Sequence, residues 1–264
     1  MTGARRAPRL GVALWATVAG GVLLLAGWQS VAFPDWPGRE AAAVGMLALA
    51  ALPPFAAAGD WLGRRRAAWL LATLVAYAYC VELIGVRTGW PYGAFAYGGG
   101  LGPMVVGAVP ALLPLAYVPL VLAAAGVADA VRPRRGAGWL VAALAALLVF
   151  DLVIDPGAVA LGYWSFADGG AYHGVPAVNY LGWALTGAPA LALVAAAARR
   201  RPESPSPWMV SGALWTVAFY TGVALRVGML LPATAGAAAL VLLGPLTARR
   251  LAAARAAQRR RPDR

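Results

Sequence analysis

The sequence predicts an all-α fold, a polytopic membrane bundle of about eight transmembrane helices with both termini in the cytoplasm. Of its 264 residues, 61% are hydrophobic and 12% are charged, which is about half the charged share of a typical soluble domain. Apolar runs of roughly 20 residues, the length that crosses a bilayer as a helix, recur along the whole chain. Short arginine clusters separate these runs. We therefore expect a single integral membrane domain over residues 1–264.

Eight apolar runs give the predicted helices in order. They cover residues 10–33, 41–58, 67–86, 104–128, 137–155, 176–198, 208–230 and 233–247. The last run is short and begins beside Pro232, which leaves seven spans as the alternative. Because proline removes a backbone donor and interrupts a helix, Pro53 and Pro54 predict a kink in the second run, and Pro119 predicts one in the fourth.

Arginine supplies every basic residue of the chain, and its distribution gives the orientation. Five clusters hold 19 of the 22 basic residues, at positions 5–9, 64–66, 132–135, 199–201 and 249–264. All five fall on one side of an eight-helix topology, and the positive-inside rule makes that side cytoplasmic. We therefore predict a protein of the cell membrane whose residues 248–264 form an Arg-rich cytoplasmic tail. Arginines placed between apolar runs, rather than on the face of a soluble domain, do not indicate nucleic-acid binding.

Two long loops on the predicted outer side differ from the short basic loops. They cover approximately residues 87–103 and 156–175 and are rich in glycine and aromatic residues, including Tyr97 and Trp164. Aromatic rings are favoured at the membrane interface. These rings therefore form either an ordinary aromatic belt or the access route of an apolar substrate.

Ionisable residues near the outer ends of the apolar runs mark the candidate site, because such residues are costly inside a membrane and usually functional. Asp151 and Asp155 are four residues apart on the fifth run. They should share one helix face, about 5.4 Å apart along the axis. Since Pro156 disfavours helix at the residue before it, we expect this helix to end at Asp155.

The same topology brings four further residues to the outer half of the membrane. They are Glu82 on the third run, His173 in the second long loop, Asn179 on the sixth run and Arg226 on the seventh. Each has a structural alternative. Glu82 and Arg226 can form an ion pair, Asn179 can hydrogen-bond a neighbouring helix, and His173 can be interfacial.

Carboxyl groups in apolar surroundings suit acid–base chemistry. Burial favours the neutral form of such a group, and a second carboxyl nearby separates the two into one acid and one base. Aromatic faces attract a cation. This set suits protonation of an isolated alkene, followed by capture of the carbocation by water. The sequence marks neither a Ser-His-acid arrangement for acyl transfer nor a His/Cys cluster for zinc.

Five short motifs fall between residues 80 and 185. They are the Thr-Gly-x-Pro-Tyr-Gly and aromatic-x-Tyr pattern within residues 82–97, Leu101-Gly102-Pro103, Val109-Pro110 with Pro114-Leu115-Ala116, Asp151-x-x-x-Asp155-Pro156, and Tyr172-His173-Gly174-Val175-Pro176 leading to Asn179-Tyr180-Leu181-Gly182-Trp183. Together they resemble the bacterial and archaeal carotenoid biosynthesis membrane family, which includes the carotenoid 1,2-hydratases and a branch known as bisanhydrobacterioruberin hydratase. The chain departs from that pattern at Gly98-Gly99-Gly100, where a more polar stretch is expected, and at His173, where an aromatic residue is more usual.

The resemblance implies a hydratase that converts the terminal C1–C2 double bond of an acyclic carotenoid end group to a tertiary alcohol. Its substrate would be of the lycopene, γ-carotene or bisanhydrobacterioruberin type, and its other partner would be the lipid bilayer. We predict Asp151 and Asp155 as the acid–base pair, each inactivated by replacement with Asn, and Glu82 as a third carboxyl group with Arg226 as its charge partner. Supporting roles are predicted for Asn179, His173, Arg87, Tyr97 and Trp164. We predict no metal and no cofactor.

Two other functions fit part of the pattern. A membrane prenyltransferase would hold Mg²⁺ with paired aspartates, but the carboxyl groups are predicted to lie away from the cytoplasm, where prenyl diphosphates are made. A non-enzymatic transporter would use the carboxyl groups as a proton relay. It would be expected to have internal repeats and polar residues in both leaflets, and neither is evident in the sequence. The hydratase is therefore the first hypothesis.

Overall fold

In the computed structural model, residues 7–33, 36–199 and 204–259 are described, and they form a helix bundle. Its helices are α1 (Ala7–Ala32), α2 (Arg39–Leu62), α3 (Arg64–Thr88), α4 (Leu113–Val131), α5 (Ala137–Ala160), α6 (Ala177–Ala197), α7 (Ser211–Val227), α8 (Leu230–Ala238) and α9 (Gly244–Arg259). Four short strands lie in the loops, namely β1 (Phe95–Tyr97), β2 (Met104–Val105), β3 (Val109–Pro110) and β4 (Trp164–Phe166). Parts of three predicted arginine clusters, residues 5–6, 200–201 and 260–264, lie outside the described residues.

Seven helical stretches of the described chain are long and apolar enough to cross a membrane. They are Arg39–Leu62, Arg64–Thr88, Leu113–Val131, Ala137–Ala160, Ala177–Ala197, Pro207–Val227 and Leu230–Ala253. The last joins α8 to α9 through a π-helical turn, Ala239–Leu243. Helix α1 precedes them with 26 residues, and the first predicted apolar run, residues 10–33, corresponds to it. The predicted all-α membrane bundle is confirmed, and the chain is an integral membrane protein.

Helix α4 lies at the centre of the bundle. Residues 117–130 are all buried, and α4 packs against α2, α3, α5, α6 and α7. A helix that is apolar on every side is expected to be surrounded by other helices. Helices α2, α3, α5, α6 and α7 surround α4, so inward-facing groups on these helices converge near it.

The start of the fourth predicted run is not helical, so the prediction of a helix from residue 104 is wrong. The β2–β3 hairpin occupies this stretch, and α4 begins at Leu113. Gly102 and Gly107 flank β2 with φ angles of 83° and 67°, a conformation that glycine adopts without steric cost. The chain therefore turns here despite its apolar composition.

The fifth helix passes through Pro156, contrary to the prediction, and α5 continues to Ala160. Because proline has no N–H, it leaves the carbonyl of Leu152, four residues earlier, without its helical donor. The hydroxyl of Tyr172, in the loop after β4, donates to that carbonyl at 3.1 Å. The carbonyl is satisfied from outside the helix, and Asp155 lies within α5 rather than at its end.

Contacts between distant parts of the chain define the two ends of the bundle. At the end with the long loops, here called the outer end, β1 pairs with β4 in antiparallel fashion, and Arg39 donates to the carbonyl of Leu161. At the opposite, inner end, Arg135 binds Asp129 at 2.6 Å and donates to the carbonyl of Ala198 at 3.3 Å. Arg135 also lies over the ring of a tryptophan at the end of α2. The loops that carry arginine clusters therefore meet at one end, as the predicted topology requires.

The residues predicted as an Arg-rich tail begin as a packed helix. Helix α9 extends to Arg259, Leu251 is fully buried, and Arg250 donates to the carbonyl of Ala130 at 3.3 Å. The described part of residues 248–264 therefore packs against α4.

Glycines bring α1 and α7 into close contact. A Cβ on Gly27 would lie 1.8 Å from the carbonyl oxygen of Phe219, and a Cβ on Gly222 would lie 1.9 Å from that of Leu24. Small residues of this kind allow membrane helices to approach each other through their backbones. Helix α1 is thereby held against α7.

Candidate active site

The bundle encloses a cavity in its outer half, beneath β1 and β4. The space open to water-sized molecules is ≈ 80 Å³, several times the minimum that one water molecule needs. Helices α2 to α7 and both strands contribute to its walls. The lining is largely aliphatic and aromatic, and its polar groups include the carboxyl groups of Glu82 and Asp155, the amide of Asn179 and the hydroxyl of Thr216.

Helix α5 supplies two of the predicted carboxyl groups, at different depths. Asp155 is 3% exposed and lines the cavity, whereas Asp151 is 1% exposed and does not line it. One helical turn separates the two residues, so they share a helix face, and their carboxyl groups lie within hydrogen-bonding reach of each other. The structure therefore brings the predicted pair together, but it opens only Asp155 to a substrate.

Asn179 orients the carboxyl group of Asp155. Helix α6 begins at Ala177, directly after Pro176 in an extended conformation, so Asn179 lies in the first turn, at the level of the cavity. Its side-chain Nδ2 donates to Oδ2 of Asp155. Asn179 is 3% exposed, and this bond fixes one oxygen of Asp155 from the neighbouring helix.

Glu82 reaches the cavity from α3 and is paired with a tyrosine. The hydroxyl of Tyr97, on β1, donates to Oε2 of Glu82 at 2.7 Å. Burial, and next the neighbouring Glu82 carboxyl, raise the pKa of Tyr97 well above its usual value, so the phenol remains a hydrogen-bond donor. The bond connects a carboxyl group in a membrane helix to the strand that covers the cavity.

Strands β1 and β4 form an aromatic cap over the cavity, defined here as residues 95–97 and 164–166. Side chains alternate along a strand, so Ala96 and Ser165 are exposed while the flanking rings point inward. The rings that line the cavity are those of Phe95, Tyr97, Trp164 and Phe166. Gly98 allows the close approach, because a Cβ there would lie 2.2 Å from the carbonyl oxygen of Gly162.

Sequence reasoning missed the aromatic wall on the opposite side of the cavity. Tyr117 on α4 stacks on Trp183 of α6, with ring centroids 5.5 Å apart and planes 22° apart. Tyr92 follows α3 and donates its hydroxyl to Thr186 at 2.9 Å. Tyr220 of α7 completes this wall. Tyr92 and Trp183 stand in the motifs noted above, but Tyr117 and Tyr220 lie inside apolar runs, where a tyrosine looks like ordinary core.

Three predicted supporting residues lie away from the cavity. Arg226 is exposed and lies over the ring of Trp28, 5.4 Å from its centroid. The predicted pairing of Arg226 with Glu82 is therefore wrong, since the partner of Glu82 is Tyr97. Among the described residues, the one salt bridge is that of Arg135 with Asp129.

His173 and Arg87 are both exposed. His173 has a positive φ of 52° in the turn before α6 and packs edge-on against Tyr172. It contributes to the loop that reaches α5, and not to the lining of the cavity. Arg87 lies in the last turn of α3, where a cation interacts favourably with the helix dipole.

The described residues place no group of three or more His, Cys, Asp or Glu side chains where they could hold a metal ion together. The magnesium-dependent alternative therefore finds no ligand cluster in that part of the chain. The cavity instead holds one carboxyl group from α3 and one from α5, each with a neutral hydrogen-bond donor.

Comparison with known proteins identifies the family of the chain. The family described as "Carotenoid biosynthesis protein" matches residues 41–243, a stretch that contains every residue of the cavity. A curated relative, named bisanhydrobacterioruberin hydratase, from Haloarcula japonica, is 42% identical over 168 residues, which are 61% of this chain and 57% of the relative. No solved structure matches the chain. The match over residues 41–243 shows that the chain belongs to the carotenoid biosynthesis protein family.

Proposed function

We propose that this protein is a carotenoid hydratase of the cell membrane that adds water across the terminal C1–C2 double bond of an acyclic carotenoid end group. The family membership and the name of the relative support a carotenoid substrate and a hydration. The observation that carries the proposal is the cavity itself, an aromatic-lined space with one carboxyl group from α3 and one from α5 on its walls. Such a space accepts an apolar chain end and offers it an acid and a base.

The reaction balances as an acid-catalysed addition. A protonated carboxyl group gives its proton to C2, the π electrons form the new C–H bond, and C1 becomes a tertiary carbocation. A water molecule attacks C1 through its oxygen, and its surplus proton passes to a carboxylate. The net change is the gain of one water per end group, and no redox partner is needed.

The hydrogen bonds suggest which group plays which part. Glu82 accepts the Tyr97 hydroxyl on Oε2, which leaves Oε1 to carry the proton that goes to C2. Asp155 accepts the Asn179 amide on Oδ2 and has a second carboxyl group, Asp151, within hydrogen-bonding reach. Two such partners favour its ionised form more than the one donor on Glu82 does, so Asp155 is the base that takes the proton from water. A general acid and a general base each contribute about a hundredfold or more to a rate.

The aromatic rings would stabilise the cation between these two steps. The cap and the Tyr117–Trp183 stack face the cavity from opposite sides. The negative face of an aromatic ring attracts a cation by about 0.5–2 kcal/mol. Rings that cannot act as strong bases lower the energy of the cation without removing its proton, which favours capture by water over loss of a proton.

The test is the pigment composition of a lycopene-producing bacterium with and without this gene. We expect new pigments heavier by one or two waters in the presence of the gene. D155N and E82Q, each verified in the membrane fraction, should reduce the product by at least about a hundredfold. If lycopene is unchanged, the same comparison is made in bacteria that produce γ-carotene and in bacteria that produce elongated acyclic carotenoids. Failure with all three classes would overturn the proposal, and activity that disappears with a chelator and returns with Mg²⁺ would favour the prenyltransferase.

A further inference from the structure

Asp151 is a buried carboxyl group that the proposed reaction does not use directly. It is 1% exposed, does not line the cavity, and neither of its oxygens receives a hydrogen bond from the described part of the chain. An ionised carboxylate in that setting would have lost its water without gaining a donor, which is strongly unfavourable. The geometry therefore requires a proton on or next to Asp151.

The neighbour that can share this proton is Asp155. The two carboxyl groups lie within hydrogen-bonding reach, yet two ionised carboxylates can only accept and would repel each other. One proton between them converts the repulsion into a charge-assisted hydrogen bond, which is stronger than a neutral one. Oδ2 of Asp155 already accepts the amide of Asn179, so a proton from Asp151 would complete the set of donors around Asp155.

Other titratable groups near the pair are on separate elements. They all interact electrostatically with Asp151 or Asp155 and are Glu82 on α3, Tyr180 on α6, Tyr92 in the loop after α3, Tyr97 on β1 and Tyr220 on α7. Tyr180 is oriented so that its hydroxyl has no partner among the described residues. The tyrosines are neutral over the physiological range, so Glu82 is the other group whose charge can change the pair.

We propose that Asp151 is a positioning residue that keeps its proton and donates a hydrogen bond through it to Asp155, so that Asp155 faces the cavity as an oriented carboxylate base. The catalytic importance of this role of Asp151 rests on the proposed hydratase function. Asp151 touches neither substrate nor water in this arrangement and acts through Asp155. This replaces the symmetric acid–base pair that the spacing of the two aspartates first indicated.

Variants at the two positions separate a positioning residue from a reacting one. In D151N the amide keeps an N–H donor in place, so we expect product formation to fall by no more than about tenfold. D151L has similar size but no donor, and we expect a loss of about a hundredfold, because a hydrogen bond to a charged group is removed. D155N should be inactive. If D151N is as inactive as D155N although both are present in the membrane, Asp151 reacts directly and the proposal is overturned.

A pH profile adds a readout that a merely structural role would not change. In D151N the donor cannot ionise, so loss of the Asp151 proton no longer contributes to the high-pH limit of activity. That limit should therefore shift to the one set by the acid Glu82 alone. A D151N profile identical to that of the wild type would contradict the proposal, whatever the absolute rate.

Infrared spectroscopy tests the proton without any reaction. The purified wild-type protein in lipid should show C=O stretching absorption of protonated carboxylic acids at neutral pH, with separate components from Asp151 and Glu82. The Asp151 component should be lost in D151N and kept in E82Q, which removes only the Glu82 component. In D155N the Asp151 band should shift to a different frequency, because its hydrogen-bond acceptor changes from a carboxylate to an amide. This measurement leaves Asp151 itself unchanged. Absence of an Asp151-dependent band overturns the proposal. A band in a protein that converts no carotenoid would instead mean that the proton is present and the hydratase function is wrong.

Discussion

At the scale of single residues, each cavity carboxyl group is held by a neutral donor from another element. Tyr97 holds Glu82 and Asn179 holds Asp155. The carboxyl groups were predictable, because acids within apolar runs are conspicuous. Their donors were predicted only as supporting residues without defined partners. The prediction that Glu82 pairs with Arg226 was wrong because charge alone does not determine the direction of a side chain. In the last turn of α7, Arg226 points toward Trp28.

Tyr97→Phe tests the donor on Glu82. The change keeps the ring in the cap and removes the hydroxyl, so we expect activity to fall by about ten- to a hundredfold with normal membrane abundance. Tyr79→Phe is the matched control, because the Tyr79 hydroxyl donates to the carbonyl of Ala111 outside the cavity. The measurement is the rate of hydrated pigment formation per amount of protein. Equal rates for the two variants would show that the bond to Glu82 has no part in the reaction.

Asn179→Leu tests the donor on Asp155. Leucine has similar volume and no N–H, so Asp155 would lose the bond on Oδ2, and we expect at least a tenfold loss of activity. Asn179→Gln retains an amide and should recover part of the activity if the longer side chain reaches the same oxygen. A fully active leucine variant would exclude Asn179 from the orientation of the base.

At the scale of elements, helix α5 and the loop after β4 are joined at Pro156. The apolar pattern predicted α5, but it placed the helix end too early, because the local rule for the residue before proline does not include a donor from a distant loop. Tyr172 supplies that donor to Leu152. Before α4, the apolar composition predicted a helix that the structure does not have. Two glycines with positive φ make the chain turn there and form the β2–β3 hairpin.

Tyr172→Phe should therefore lower the stability of the protein. It leaves the carbonyl of Leu152 without a donor and should cost about 1 kcal/mol or more, seen as a lower midpoint of thermal unfolding in detergent. Tyr180→Phe is the control, because the buried hydroxyl of Tyr180 has no partner in the described structure and its removal should cost less. A larger loss for Tyr180→Phe would contradict this account of how α5 passes through its proline.

The cap can be tested at its closest contact. Gly98→Ala would place a Cβ 2.2 Å from the carbonyl oxygen of Gly162, so β1 must move away from β4. Gly99→Ala is a matched control one residue away, where a Cβ meets nothing within 4 Å. We expect Gly98→Ala to lose most of its hydratase activity and Gly99→Ala to keep it, at equal abundance in membranes. Similar activities would mean that the closed cap is dispensable.

At the scale of the whole molecule, composition and periodicity predicted the fold class, since a helix is the structure that satisfies its own backbone in lipid. The order of the membrane-spanning helices, and their number as seven or eight, also followed from the apolar runs of the sequence. The cavity did not, because its walls come from eight elements, six helices and two strands, that are spread along the sequence. Which apolar residues face each other across it depends on packing around α4, and periodicity does not carry that information.

The predicted orientation has a direct test. In a variant whose native Cys80 is replaced by alanine, a cysteine introduced by Ser165→Cys on the exposed side of the cap should react with a membrane-impermeant thiol reagent in intact cells. A cysteine introduced by Arg134→Cys, exposed in the loop between α4 and α5, should react only after the cells are broken. The reverse pattern would place the site on the cytoplasmic side.

The attachment of the aromatic cap links the position of its strands to the position of the cavity carboxyl groups. Helix α3 carries Glu82 and leads into β1, while α5 carries Asp155 and leads into β4. Each strand of the cap thus follows a helix that carries one of the two cavity carboxyl groups. Tyr97 also donates a hydrogen bond to Glu82 and so connects the cap to that carboxyl group directly. Under the proposed function, we expect that parting the strands to admit a chain end would loosen the carboxyl groups, and that closing them would restore their alignment. The proposed hydratase would then be inactive while open, which would spare other polyenes of the membrane from stray protonation.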